Sequence, residues 1–143
     1  MLRITRDGEY AIRAVLHLAL RNEASLAAEI SKAEGVPGSY LSKILQRLRR
    51  AGLVRSKRGA GGGYALALPA SRVTLADVIQ AVDGPMGLNS CLDDDYGGTR
   101  CPVRRVWSEA QRKVFETLDS HTLEELAGEK RKNFLRKKEM KKV

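Results

Sequence analysis

The sequence predicts a mainly α-helical protein with one small β-hairpin. Apolar residues recur at helical spacing in several separate segments, which predicts amphipathic helices. Two short helices among them are joined by a turn of about four residues that contains glycine, which is typical of a helix-turn-helix. A glycine-rich stretch between two alternating segments then predicts a hairpin. Together these observations predict a winged helix-turn-helix, followed by a long C-terminal helix for dimerisation.

The first helix is predicted over residues 7–21. Asp7 and Glu9 stand in its first turn, where the helix dipole favours negative charge. Its apolar residues recur at helical spacing and form one face. They are Ala11, Ile12, Val15, Leu16, Ala19 and Leu20. This helix is therefore predicted to turn one apolar side towards a core.

Residues 26–33 and 39–51 predict the two helices of the helix-turn-helix. Ser25 is the expected N-cap of the first of them. Gly35 can adopt a left-handed backbone and Pro37 cannot continue a helix, so the first helix is expected to end before them. The inward-facing positions of the second helix are predicted to be Leu41, Ile44, Leu45 and Leu48, with Gly52 as its stop.

The hairpin is predicted from residues 53–57 and 64–68, whose side chains alternate between the two faces of a strand. Residues 58–63 lie between these segments and contain four glycines. Glycine permits the positive φ angles that tight turns require. A hairpin directly after a helix-turn-helix is the wing of a winged helix.

Three further helices are predicted after the hairpin. Thr74 and Asp77 form a capping box that starts the fourth helix. A fifth helix is predicted over residues 102–118. Its broad apolar stripe favours dimerisation over an ordinary place in the core, because the winged helix before it is already complete. Thr122 is predicted to start the sixth helix.

Charge is distributed unevenly along the chain. The net charge is +9, and residues 130–143 alone contribute +7. Residues 35–76 contain no carboxylate but eight cations. These cations are Lys43, Arg47, Arg49, Arg50, Arg55, Lys57, Arg58 and Arg72. A long one-sign surface on a winged helix suits duplex DNA, which carries about one negative charge per 1.7 Å of its axis.

The second helix of the helix-turn-helix is predicted to read base edges in the major groove with its first residues. Arg58, at the tip of the wing, is predicted to enter the minor groove. The candidate DNA contacts are Ser39, Tyr40, Ser42, Lys43, Arg47, Arg58, Gly59, Gly61 and Gly62. The predicted partners are a double-stranded DNA operator and a second copy of the chain, because symmetric operators favour two-fold proteins.

Four parts of the chain follow from these elements. Residues 1–83 are predicted to form the winged-helix DNA-binding domain, and residues 84–101 a loop that carries both cysteines. Residues 102–129 are predicted to form the dimerisation helices. Residues 130–143 are predicted to be a disordered basic tail, because this segment is rich in lysine. An alternative of another class is an architectural protein that holds nucleic acid non-specifically through this tail.

Other classes of protein fit the sequence less well. The glycines of residues 59–63 lack the GxxxxGK[ST] spacing of a nucleotide-binding loop. No apolar run approaches the roughly 18 residues that would span a membrane, and the first residues do not resemble a secretory signal, so a cytoplasmic location is expected. No constellation typical of an enzyme is found. His17 and His121 are expected to be ordinary, partly exposed histidines.

Five segments resemble the Rrf-type winged-helix transcriptional regulators. They are residues 5–14, 35–41, 48–54, 58–64 and 74–82. The resemblance covers roughly residues 1–128. It implies a homodimer with a long helix in its interface, and transcriptional control that is usually repression. In the sensing members of this family, three cysteines in the loop before that helix and a fourth ligand hold an iron-sulfur cluster.

This chain matches the family's ligand pattern only in part. Cys91 and Cys101 match the first and last cysteine of the loop, and the middle cysteine is missing. Arg104 stands where the family can have a nitrogen ligand, and a guanidinium does not ligate iron. Glu9 of the partner subunit occupies the alternative acid position. A 2Fe-2S or 4Fe-4S cluster would need one more ligand, for which residues 93–95, all aspartate, are the candidates.

Three interpretations of the cysteine loop stay open. The first is a labile iron-sulfur cluster that reports iron-sulfur or redox status. The second is a thiol switch, in which Cys91 and Cys101 form a disulfide or bind another metal. The third is a regulator controlled by a metabolite or a protein partner, in which the cysteines have no role. In each of them the protein is a DNA-binding regulator and not an enzyme.

Overall fold

The computed structural model of the protein describes residues 4–60, 62–88, 92 and 101–142. Within these residues, six α-helices and one two-stranded sheet follow one another, with a short 3-10 helix at Ala70–Arg72. In chain order they are α1 (Arg6–Arg21), α2 (Ala27–Glu34), α3 (Gly38–Arg50), β1 (Val54–Lys57), β2 (Gly63–Leu66), α4 (Leu75–Asp83), α5 (Arg104–Asp119) and α6 (Leu123–Met140). The prediction of a mainly α-helical chain with one hairpin is confirmed.

The core lies where α1, α3 and α4 pack on one another. All four inward positions predicted for α3 are confirmed, since each is 0% exposed: Leu41, Ile44, Leu45 and Leu48. On α1 the buried face is Ala11, Ala14, Val15, His17 and Leu18, whereas Ile12, Leu16, Ala19 and Leu20 are only partly buried. The core therefore holds the helix-turn-helix rigidly and leaves the outer side of α3 free to face solvent.

The predicted capping box of α4 is confirmed. The backbone N–H of Asp77 donates to Oγ1 of Thr74 at 3.2 Å, and the backbone N–H of Thr74 donates to the Asp77 carboxylate at 2.9 Å. Thr5 caps α1 by accepting from the N–H of Gly8 at 3.0 Å. Its hydroxyl also donates to the carboxylate of Asp83 at 2.5 Å, which joins the start of α1 to the end of α4.

The prediction that Ser25 caps α2 is wrong. Ser25 is buried, and its backbone pairs with Tyr64 through N–H to O distances of 2.9 and 2.8 Å. It thus adds a third extended segment beside the hairpin, and the N-cap moves to Leu26. The backbone N–H of Leu26 donates to the Glu29 carboxylate at 2.8 Å. The side chain of Glu29 therefore provides the hydrogen-bond acceptor that this N–H lacks at the start of the helix.

The hairpin pairs β1 with β2 in an antiparallel register, with Val54 opposite Leu66 and Lys57 opposite Gly63. Gly63 has a φ of 122°, and an added Cβ would collide with the backbone of Ser25. A Cβ on Gly62 would lie 2.6 Å from the carbonyl oxygens of Gly59 and Lys57. These two glycines are therefore required by the close approach of backbone segments.

The disorder predicted for residues 130–143 is wrong for residues 130–140, because α6 continues to Met140. The physical reason is that the first turns of this helix are already formed and packed, so the later residues need no new helix nucleus. Lysine, arginine, leucine and glutamate are good helix formers, and the lysines near Met140 face the negative end of the helix dipole. The prediction of disorder rested on the lysine content of this segment and took no account of the helix that precedes it.

The cysteine loop is described only in part. Cys91, residues 93–95 and Gly61, all of which entered the predictions above, lie outside the described residues. Cys101 is described and is half-buried just before α5. Across the ranges that the structure does describe, no helix is long and apolar enough to cross a membrane.

Candidate nucleic-acid interface

The outer face of α3 carries the residues predicted to read base edges. Ser39, Tyr40, Ser42 and Lys43 are all exposed, because the opposite side of the helix is packed into the core. The Ser42 hydroxyl donates to the backbone oxygen of Gly38 at 3.1 Å, which leaves its oxygen as an acceptor. The face therefore offers hydroxyl groups and one ammonium to a ligand.

Tyr40 is held in place although it is 43% exposed. Its ring meets the ring of Tyr10 edge to face, with centroids 5.9 Å apart and planes at 70°. The Arg13 guanidinium in turn lies 5.8 Å from the Tyr10 ring centroid. The contact between Tyr40 and Tyr10 links the first turn of α3 to α1. The helix that carries the predicted base-reading residues is therefore supported by α1.

Arg47 makes contacts inside the protein. Its Nη1 lies 3.1 Å from the Asp7 carboxylate and 3.2 Å from the backbone oxygen of Val82. The side chain therefore ties α3 to α1 and α4 while it stays 45% exposed. Its role as a phosphate contact stays a prediction, and a substitution of Arg47 would disturb the core framework as well as any DNA contact.

The wing presents Lys57, Arg58 and Gly59 to solvent. Gly59 has a φ of 91° and open space around it, so the bend at the tip depends on a left-handed backbone. Gly62 is buried, and its N–H donates to the Gly59 oxygen at 2.9 Å. Gly62 is thus better explained as part of the tight turn than as a surface contact, while Arg58 has the exposed position that a DNA contact needs.

Two acids that border this basic surface, Asp7 and Glu34, are paired with cations. Asp7 faces Arg47, as described above. Glu34 is the last acid before residues 35–76, and its carboxylate lies 3.2 Å from Nδ1 of His17 and 3.2 Å from Nζ of Lys130. The negative charge of Glu34 is therefore compensated, and it does not interrupt the positive surface next to the turn between α2 and α3.

His17 differs from its prediction, because it is only 7% exposed. It lies in the joint between α1 and the end of α2, with Nδ1 on Glu34 and with no partner at Nε2 within the described residues. No local pattern in the sequence indicates this burial, since Glu34 is 17 residues away. His121 is half-exposed as predicted, and its Nδ1 lies 3.2 Å from Glu125.

The described residues cover the apolar stripe of α5 only in part. None of the residues of α5 is buried, and Val106 is 54% exposed. The opposite side of α5 carries ion pairs, such as Arg112 to Glu116 at 2.7 Å. A hydrogen bond and the charge of Lys113 hold the pKa of Glu109 below its ordinary value. A helix with a partly exposed apolar side and an ionic side fits the predicted dimer interface.

The described residues do not supply a complete ligand set for an iron-sulfur cluster. Glu9 is exposed on α1, and Cys101 is half-buried before α5. Among the residues that the structure covers, no three histidine, cysteine, aspartate or glutamate side chains come together. The donors present in this part of the chain therefore do not fit a four-ligand cluster by themselves.

The structure combines a helix-turn-helix with an exposed second helix, a basic wing and an acid-free edge. These features define a DNA-binding protein of the winged-helix class. The family described as Rrf2, iron-dependent transcriptional regulator, matches residues 4–129. The chain belongs to this family, which confirms the resemblance predicted from the five sequence segments.

Relatives of known name agree with this assignment. The HTH-type transcriptional regulator IscR of Xenorhabdus nematophila is 39% identical over 129 residues, which cover 87% of this chain and 79% of that protein. The structure of CymR, the global cysteine regulator of B. subtilis, is similar with a TM-score of 0.77 and 32% identity, over 90% of this chain and 98% of that one. The structure of T. potens IscR has a TM-score of 0.74 and 28% identity, over 90% and 88% of the two chains. These relatives are transcriptional regulators and not enzymes, as predicted.

Proposed function

We propose that this protein is a homodimeric repressor that binds a specific operator in duplex DNA. The observation that carries the proposal is the coincidence of the acid-free surface with the exposed sides of α3 and the wing. A protein that bound DNA only through a flexible tail would not need a supported helix at the centre of its positive surface. A repressor of this kind acts where the chromosome is, so a cytoplasmic location is part of the proposal.

The exposed start of α3 would enter the major groove in this proposal. Lys43 can donate to guanine O6 and N7, and the Ser39 hydroxyl can pair with either donors or acceptors on base edges. The Ser42 oxygen can accept from a donor on a base edge, because its hydrogen is given to Gly38. Arg58 would contact the backbone or the narrow minor groove beside it. Base contacts give specificity, whereas phosphate contacts fix the register of the protein on the duplex.

The apolar stripe of α5 supports the homodimer. Two copies of this helix packed against each other would cover Val106 and its apolar neighbours. A two-fold dimer would present two copies of α3 to successive major grooves, about 34 Å apart on one side of the duplex. The expected operator is therefore a palindrome or near-palindrome.

The signal is proposed to reach the DNA-binding face through the loop of Cys91 and Cys101, which ends directly before α5. A change in this loop would alter the start of the dimer helix and thereby the spacing of the two α3 helices. Because the described donors fall short of a cluster, we derive no step through one. The two thiols can serve as a redox switch without a cluster. When they form a disulfide, they lose two protons and two electrons to an oxidant such as peroxide.

Purification without oxygen tests the signal. Iron and sulfide analysis with a visible spectrum would support the cluster version if iron and sulfide are bound, and would remove it if the reconstituted protein stays colourless and iron-free. Thiol counting before and after peroxide tests the disulfide version. If the protein lacks bound iron and both thiols resist oxidation, a metabolite or a protein partner becomes the candidate signal.

Cysteine substitution separates sensing from folding. The C91A/C101A double variant is expected to bind DNA equally well before and after peroxide treatment, whereas the parent protein changes affinity. Its thermal unfolding is expected to match that of the reduced parent, because the half-buried Cys101 contributes little to the core. A large drop in the unfolding temperature would show that the loop has a structural role.

A further inference from the structure

We propose that residues 130–142 form a second DNA-binding surface, the basic arm, which contacts phosphates of the duplex beside the operator. This inference rests on the proposed function and adds to it a contact outside the winged helix. The arm carries eight cations and one acid, Glu139. This charge makes up most of the net charge of the protein and lies outside α3 and the wing.

The start of α6 fixes the position of the arm. Leu123 and Ala127 are 0% and 5% exposed, so the first turns of the helix are packed on the body of the protein. The backbone of Thr122 forms an isolated bridge with Thr74 at the start of α4. From Glu129 to residue 142 every residue is exposed. The arm therefore extends away from the body as a continuous helix, over about 15 Å at 1.5 Å per residue.

The arm begins beside the helix-turn-helix. Nζ of Lys130 lies 3.2 Å from the carboxylate of Glu34, the last residue of α2. The turn that leads to α3 follows Glu34 directly. Lys130 therefore compensates the acid nearest to this turn and connects the positive charge of the arm with that of residues 35–76.

One face of the arm continues the face that packs on the protein. At 100° per residue, Lys137, Lys138 and Lys141 lie on the side of α6 that carries Lys130 and the buried residues. Nζ of Lys138 is 4.8 Å from the ring centroid of Phe134, which places these two side chains together. We call Lys137, Lys138 and Lys141 the inner face. Lys132 and Arg136 lie on the opposite, outer face.

The distribution of apolar residues favours DNA over a membrane as the partner. Phe134, Leu135 and Met140 are 58%, 55% and 79% exposed. Helical rotation places them roughly a third of a turn from one another, so they surround the arm and form no apolar stripe. A helix that lies on a membrane needs one apolar face. Cations on all sides with scattered apolar groups suit a polyanion that binds through charge.

The test compares two double variants that each remove two positive charges, K137Q/K141Q on the inner face and K132Q/R136Q on the outer face. The probe is a duplex selected by the full-length protein from a random library, with about 15 base pairs of flank on each side. Binding is measured over a range of salt concentrations. The inner variant is expected to lower the salt slope by about one unit for each phosphate that it no longer neutralises, and so by two to four units in a dimer.

The outer variant is the matched control and is expected to change the slope by less than one unit. On a duplex that keeps the selected site but lacks the flanks, the inner variant and the parent are expected to bind alike. Circular dichroism checks that both variants keep the helix. Equal effects of both variants would overturn the proposal in favour of general charge attraction, and no effect of either would overturn it outright.

Two further measurements keep this inference separate from the proposed function. If selection yields no preferred duplex, the proposed function fails, and the two variants are compared on a mixed-sequence duplex of the same length, where a lower slope for the inner variant alone still supports the arm. Vesicles with phosphatidylserine serve as the other probe. If the parent binds these vesicles and the inner variant does not, while the slope on DNA is unchanged, the arm belongs to a membrane surface and the proposal is overturned.

Discussion

Helices α3 and α5 have similar amphipathic patterns but opposite surroundings. The four inward leucine and isoleucine residues of α3 are 0% exposed, whereas none of the residues of α5 is buried. The chain itself covers the apolar side of α3, which leaves its polar side for a ligand. The described residues cover the apolar side of α5 only in part. The contrast teaches that one chain fully buries the inner side of α3, whereas the apolar side of α5 is left for the proposed dimer contact to cover.

The largest expected effect concerns the covered helix. Leu45→Ala in α3 is expected to lower the free energy of unfolding by about 2–5 kcal/mol, because it leaves a cavity at a fully buried position. Urea unfolding of the dimer at fixed protein concentration measures this change. The control is Val106→Ala in α5 at a concentration where the protein stays dimeric. An equal or larger decrease for Val106→Ala would contradict the contrast between the two helices.

The next effect tests the wing. Gly63→Ala is expected to destabilise the protein by about 1–3 kcal/mol, because the φ of 122° is strained for alanine and the added Cβ meets the backbone of Ser25. Gly38→Ala is the control, since open space surrounds Gly38 and its φ is not positive. Thermal unfolding compares the two variants. Similar unfolding temperatures for both would show that the wing can move away from Ser25.

A charge on the uncovered helix tests the interface. Val106→Glu is expected to weaken the dimer by about 10- to 100-fold, or 1.4–2.8 kcal/mol, because a carboxylate replaces a valine in the proposed contact. Sedimentation at several concentrations measures the dissociation constant. Arg105→Gln changes the net charge by the same amount on the polar side and is expected to leave the dimer intact. A Val106→Glu protein that stays dimeric at the lowest concentration would place the interface elsewhere.

The smallest expected effect concerns the wing tip. Arg58→Ala is expected to reduce the salt slope of DNA binding by about one unit per contact, with no change in stability, because Arg58 is exposed. Binding to the selected duplex at several salt concentrations measures it. Lys32→Ala, an exposed cation on α2 outside residues 35–76, is the control. Equal slopes for Arg58→Ala and the parent would remove the wing from the DNA contact.

Local signals in the sequence predicted most of the fold. Gly35 does take a left-handed backbone, with a φ of 65°, and Thr74 does cap α4 with Asp77. These features depend on neighbours within a few residues, which a sequence pattern can show. The prediction for Ser25 failed because its partner, Tyr64, is remote in the chain. The predicted disorder after residue 130 failed because composition carries no information about a helix that is already packed.

The charge of the candidate site could be predicted from the sequence, but the contacts that hold its residues in place could not. The acid-free stretch follows from counting charges, and the exposure of Lys43 follows from helical periodicity. The exposure of Arg58 follows from its place in the predicted hairpin turn. The contact of Arg47 with Asp7, and the pairing of Glu34 with Lys130, join residues from distant segments. Only the packed structure reveals that these side chains hold the site together and that the last helix begins beside the helix-turn-helix.

The most direct test of the proposed function is a comparison of two duplexes of equal length and composition, one selected by the protein and one scrambled. The dimer is expected to bind the selected duplex about 1,000-fold more tightly at physiological salt. The comparison is made with protein kept free of oxygen and again after peroxide treatment. Equal affinity for both duplexes in both states would contradict the proposal that α3 and the wing read a DNA sequence.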